Sequence, residues 1–183
     1  MSRRVMICSA AAGLLFAASC SGETLDAKQW HFRAAFPCQS GVSSQTVDSA
    51  AGKLVFTMYS CEDTAGATFM VSVNDFPAGL IKPEEIDSRY AMALDGMAQE
   101  TKGTIRTVLV TTLDGLDGRE AIVDLPDKQG SMKTRIFIVG DRLYQAVCVS
   151  TPGIETGPSC TTFLNSFALV GSGAPKPASP VAK

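Results

Sequence analysis

Hydrophobic and polar positions alternate from Gln29 to Phe36: Trp30, Phe32, Ala34 and Phe36 fall on one side, Gln29, His31 and Arg33 on the other. A period of two is that of a half-buried strand, and it places the single histidine, His31, on the wet face. Lys53–Tyr59 and Thr68–Asn74 predict the next strands, separated by the turn-forming run Glu62-Asp63-Thr64-Ala65-Gly66. Together the three read as a meander.

The period then lengthens. Pro83 suits a first helical position, and Glu84, Glu85 and Asp87 complement the positive end of a helix dipole. Ile86, Tyr90, Leu94 and Met97, with Ala93 between, form one apolar stripe, and Gly103 follows as a stop. This predicts a helix of about five turns packed onto a sheet. Strands resume at Thr104–Leu113, Arg119–Leu125, Met132–Val139 and Arg142–Ser150. Asp114-Gly115-Leu116-Asp117-Gly118, Asp127-Lys128-Gln129-Gly130 and Gly140-Asp141 supply the turn chemistry between them. A short closing helix has Ser159 at its N-cap and Cys160, Phe163, Leu164 and Phe167 on its inner face. The class is α+β: a mostly antiparallel sheet of about six to seven strands, with one long and one short helix packed on it.

The first residues carry an address. Ser2-Arg3-Arg4, an apolar run from Val5 to Phe16, and Ala17-Ala18-Ser19 before Cys20 make a secretory signal peptide over residues 1–19. Small residues directly before a cysteine resemble a bacterial lipobox, with Ala17 standing where leucine is usual, and make Cys20 the lipidation site. Residues 20–27, beginning with Ser21-Gly22 after the cysteine, read as a tether, 28–170 as the domain, and 171–183 as a disordered Gly/Pro/Ser tail. The expected location is the periplasmic face of the outer membrane, through the lipid anchor alone. Ordinary cleavage after Ala17-Ala18-Ser19 would instead release a soluble periplasmic or secreted protein.

Removing the leader leaves 164 of 183 residues, enough for one core. It takes away Arg3 and Arg4 but no acid, so the net charge moves from −2 to −4. Such a domain is a poor nucleic-acid binder. Four cysteines besides Cys8 and Cys20 remain: Cys38, Cys61, Cys148 and Cys160. The absence of Cys-x-x-Cys and of a nearby histidine argues against zinc or thioredoxin-like chemistry. An even count in an exported domain suggests two disulfides, for which three pairings exist. A hairpin turn at Asp48–Lys53 makes partner positions sum to about 101, close to the 99 of Cys38 with Cys61. That leaves Cys148 to join a strand to Cys160 on the closing helix.

Candidate chemistry is sparse. A Ser-His-Asp or Cys-His catalyst needs a shielded histidine, and His31 is read as a surface imidazole beside Arg33. Asp114, Asp117 and Glu120 cluster along one turn and Asp124 and Asp127 bracket the next, but they lack the alternating acid ladder of a calcium loop. Turn formation accounts for them. Arg119-Glu120 and Asp141-Arg142 read as charged strand ends, with a recognition surface as the alternative, and Tyr144 as either an inward ring or part of such a surface. No catalytic residue, metal or cofactor is expected.

The pattern resembles the PsbP-like sandwich fold shared by the photosystem II extrinsic P subunit, a Ran-binding nuclear import factor and many small bacterial envelope proteins. Phe32–Pro37, the segment from Tyr59 to Pro77, Leu113–Glu120, Arg135–Gln145 and Phe163–Phe167 carry the likeness over roughly residues 28–170. Bacterial members often have Gly-x-Pro-Gly-Arg-Glu at the central turn, where this chain has Asp117 in place of the proline. The resemblance implies an α/β/α sandwich and no shared catalytic motif. The expected function is that of a non-catalytic envelope lipoprotein acting through contacts with an envelope protein. A small-ligand or lipid carrier is the alternative, and a carboxylate enzyme the third reading.

Overall fold

The computed structural model describes residues 22–49, 52–128, 130–150 and 157–171. The expected leader (residues 1–19), Cys20 and residues 172–183 lie outside them. Within the described residues, ten strands form two antiparallel sheets. The larger contains seven: β3 (Gly41–Ser49), β4 (Gly52–Glu62), β5 (Thr68–Asp75), β6 (Thr104–Leu113), β7 (Leu116–Asp124), β8 (Ser131–Val139) and β9 (Arg142–Ser150), in the order β3-β4-β5-β9-β8-β7-β6. The smaller holds β1 (Glu23–Ala27), β2 (Phe32–Phe36) and β10 (Ala168–Leu169), with β2 in the middle.

Two expectations are corrected by this division. Phe32–Phe36 does not open the meander; Gly41–Ser49 does, and Phe32–Phe36 belongs to the second sheet. Glu23–Ala27 is not part of a tether, because it pairs with β2 from Glu23 opposite Phe36 to Ala27 opposite Phe32. The predicted hairpin register does hold, with Gly41 opposite Ser60 and Asp48 opposite Lys53.

Alternation decides what each face of the large sheet buries. Phe69, Val71, Val73, Phe137, Tyr144, Ala146 and Cys148 point toward β2 and the short helix α2 (Pro158–Ser166), where they meet Phe32, Phe36, Phe163 and Leu164. The rings contact directly: Phe36 and Phe163 centroids are 5.0 Å apart, Phe69 and Phe163 5.4 Å. On the opposite face Ala121, Ile136, Ile138 and Leu143 pack against Tyr90 and Leu94 of α1 (Ile86–Thr101). The predicted stripe therefore faces the sheet.

The ends of both helices differ from expectation. Lys102, not Gly103, takes the left-handed conformation after α1 (φ 54°), while Gly103 donates to Ala98. Gly103 answers to space, since a Cβ there would lie 2.7 Å from Val123 and 2.8 Å from the Asp124 carbonyl. At α2 the N-cap is Gly157, with Pro158 opening the helix, so Ser159 does not cap it.

Both disulfides form in the expected pairing, Cys38–Cys61 close to the hairpin register and Cys148–Cys160 as the remaining pair, with Cα–Cα distances of 5.9 Å and 5.7 Å. Two disulfides accord with an extracytoplasmic domain. Among the described residues, no helix is long and apolar enough to cross a membrane.

The edges of the large sheet are unlike each other. β3 presents Ser43, Ser44, Gln45 and Thr46. β6 presents three consecutive apolar residues: Val108, Leu109 and Val110 are 45, 56 and 67% exposed. Val108 and Val110 lie uncovered on the α1 side of the sheet, and Leu109 on the reverse.

Candidate functional site

A group of polar side chains gathers around the start of β9, beside the corner between β1 and β2. The chain leaves β1 at Ala27, makes one tight turn over Lys28–Trp30, and reverses into β2 through His31. Ala27 and Phe32 are paired, so the reversal must be compact. His31 completes it in the left-handed region (φ 56°), which histidine tolerates better than branched residues. Its amide donates to the Lys28 carbonyl (3.2 Å) and its carbonyl accepts from Val170 (2.9 Å). The expectation of an outward strand histidine is thus replaced by a half-buried corner residue.

His31 borders an open depression of about 300 Å³ with Asp75, Phe76, Val139, Asp141, Arg142 and Tyr144. The fold gathers residues read separately in the sequence: the histidine, the Asp141-Arg142 pair and the inward tyrosine. Asp75 and Trp30 join them, though neither carries a local sequence signal for this role. The β5–β9 register sets Asp75 opposite Arg142, a cross-strand ion pair that becomes visible once those strands are known to be neighbours.

These groups bond to one another and to the backbone around the depression. Arg142 donates from Nε and Nη2 to the Asp75 carboxylate (2.5 and 2.8 Å), and its guanidinium lies 5.3 Å from the Trp30 ring centroid. The bond to Asp75 raises the Arg142 pKa above the ordinary arginine value. The Tyr144 hydroxyl donates to the Trp30 carbonyl (2.9 Å), and burial pushes its phenol up. Asp141 accepts from the amides of Gly79 (2.7 Å) and Ile81 (3.1 Å), and these bonds hold its carboxyl below the usual range. The arrangement is a clasp: one strand start secures the corner at residues 28–31 and the loop at 76–81.

The acidic turns resolve into structural roles. Asp114 (φ 50°) and Gly115 (φ 83°) form a two-residue hairpin, shorter than the five-residue turn expected, and Leu116, Asp117 and Gly118 join β7. Asp127 has a positive φ of 55° in the next connection. Glu120 accepts from Lys133 (2.9 Å) and Arg135 (2.7 Å). Burial pushes the Glu120 carboxyl up, but these two partners outweigh it and hold it below the ordinary value. Asp124 binds Arg106 and accepts from Ser131 (3.1 Å), which lowers it as well. Arg119 pairs with Asp87 and lies 4.9 Å over the Tyr90 ring. Among the described residues, no three His, Cys, Asp or Glu side chains are grouped to hold a metal.

A smaller cavity of about 110 Å³ lies beside Cys160, between the turn at Asp63–Ala67 and the start of α2. Asp63 accepts from the amides of Ala65 and Ala67 there, closing its own turn.

No protein-family profile matches the chain, and no curated protein does. Among solved structures, the chain is similar to the solution structure of cyanobacterial PsbP (CyanoP) from Synechocystis sp. PCC 6803. The TM-score is 0.54 at 10% identity, covering 87% of this chain and 98% of that one. The likeness shows a PsbP-like fold.

Proposed function

We propose that this chain is a non-catalytic envelope protein that works through contacts with other envelope proteins. Its leader exports it, and acylated Cys20 holds it at the periplasmic face of the outer membrane. The observation that supports this most is the clasp. Arg142, Asp75, Asp141 and Tyr144 are engaged with one another and with backbone groups, in the way of a structural joint. The carrier reading draws less support, because the layer between the sheets is filled by contacting rings.

Crosslinking in intact cells, followed by purification of the tagged full-length protein, tests the reading. Recovery of a defined envelope partner is the expected result, and persistent recovery of the chain without any partner would overturn it. Intact mass of the membrane-extracted protein tests the anchor: an acylated chain beginning at Cys20 is expected. A non-acylated mature chain would replace the anchor with free secretion.

A further inference from the structure

We infer that β6 is a self-association edge, and that a second copy of this chain pairs with it antiparallel across a twofold axis at Leu109. This rests on the protein-contact reading and extends it by naming the partner. Strand edges that must stay single are normally guarded by charge, proline or a bulge. From Thr107 to Leu113, β6 carries neither a charge nor a proline, and its register irregularity lies before this stretch, between Ile105 and Thr107. The nearest charge on the strand, Arg106, is turned onto its own sheet, bonded to Asp124 and Ser131.

The residue order itself selects a second copy as the occupant. Thr107-Val108-Leu109-Val110-Thr111 reads the same in both directions. Antiparallel pairing about Leu109 therefore opposes like with like: threonine to threonine, valine to valine, leucine to leucine. Outside this palindrome the order still fits, with Ile105 opposite Leu113 of the other copy.

Faces match as well. Val108 and Val110 sit opposite Ala121 and Arg119, on the α1 side of the sheet, whereas Leu109 sits opposite Glu120 on the other side. Pairing about Leu109 gathers four valines on the α1 side and two leucines on the reverse. Cross-strand β-branched pairs of this kind stabilise a sheet. Both copies present an uncharged strip, so no like charges are brought together. The same patch serves on both partners, so the assembly closes at two copies instead of growing. Pairing with β3 would generate an open array, and β3 offers Ser43, Ser44, Gln45 and Thr46 instead of an apolar strip. The chain's own end is a poor occupant, because Pro175, Pro177 and Pro180 lack the amide hydrogens a strand partner needs.

Sedimentation equilibrium of the full-length exported protein over a range of concentrations is the test, with Leu109→Lys as the variant. A doubling of mass with concentration is expected for the parent. Leu109→Lys, which sets two ammonium groups against each other at the axis, is expected to weaken association about tenfold or more while the circular dichroism is unchanged. Oxidation of Leu109→Cys locates the contact even if the lysine variant folds poorly. It is expected to give a disulfide-linked dimer well above the parent's level, whereas Val42→Cys, at the exposed opposite edge, gives none. A monomer at every concentration, or linkage through position 42 and not 109, overturns the inference. If the parent is monomeric but a different envelope protein crosslinks to β6, self-pairing fails while the protein-contact reading stands.

Discussion

The hydroxyl of Tyr90 bridges the next rung of the β-ladder for Ile138. The β7–β8 pairing ends at Gly118 opposite Phe137. One rung beyond, the Ile138 amide donates to the Tyr90 hydroxyl (3.1 Å), which donates to the Asp117 carbonyl (2.7 Å). A helix side chain thus satisfies two strand groups where the strands part, tying α1 to the sheet by polar bonds as well as packing.

Tyr90→Phe keeps the ring and leaves both backbone groups without that partner. The expected loss is about 1–3 kcal/mol of unfolding free energy, because an unpaired buried polar group costs that much. Urea denaturation measures it; unchanged stability would mean that other groups or water replace the hydroxyl without loss.

Glu120 predicts an acid limb. Its carboxyl titrates below the ordinary value of 4.5 in the folded protein, so its contribution is present above that value. The contribution is lost as pH falls through the folded pKa. Glu120→Gln is expected to be less stable by about 1–3 kcal/mol at pH 7, and to lose less than the parent on acidification. Denaturation midpoints from pH 7 down to about 3 compare the two slopes; parallel slopes would remove Glu120 from the account.

Two glycines in one hairpin should respond differently. A Cβ at Gly118 would lie 2.5 Å from the Phe137 ring and 2.6 Å from the Ile136 carbonyl, so Gly118→Ala is expected to cost about 1–3 kcal/mol by overpacking. Gly115 has open space but a φ of +83°, so Gly115→Ala is expected to cost about 1–2 kcal/mol through backbone strain alone. Mutating Phe137 to Leu in each background separates the causes in thermal melts: it rescues part of the loss at 118 and none at 115.

Replacing either cystine by two alanines is expected to lower stability by about 2–4 kcal/mol. The Cys38–Cys61 pair spans 23 residues and Cys148–Cys160 spans 12, so the chain-entropy part favours the former slightly. Guanidinium unfolding of both double variants checks the order of magnitude. Full stability in either would show that its crosslink contributes nothing.

The second half of the chain was the most legible. β6 and β9 fall at Thr104–Leu113 and Arg142–Ser150 as read, because alternation there is bounded by turn residues with clear conformational demands. The helix stripe was equally readable, since Tyr90 and Leu94 are the buried pair at its centre. Sheet membership was not. Alternation says that Phe32 and Phe36 bury one face of a strand, yet says nothing about which strand lies alongside. β3 was hidden by its run Ser43-Ser44-Gln45-Thr46, whose polarity breaks the apolar rhythm. The clasp was out of reach for the same reason: Asp75 meets Arg142 only through the order of strands, and nothing local marks His31 as a positive-φ corner.

The small sheet also decides how the molecule would carry a mechanical load. β1 and β10 both hang on the five residues Phe32–Phe36, one on each side. A pull between Glu23 and Leu169 is therefore carried by shear along that single short strand, a path that bypasses the seven-stranded slab. Yielding would begin there and leave the larger sheet intact, giving the domain a weak link at its first strand.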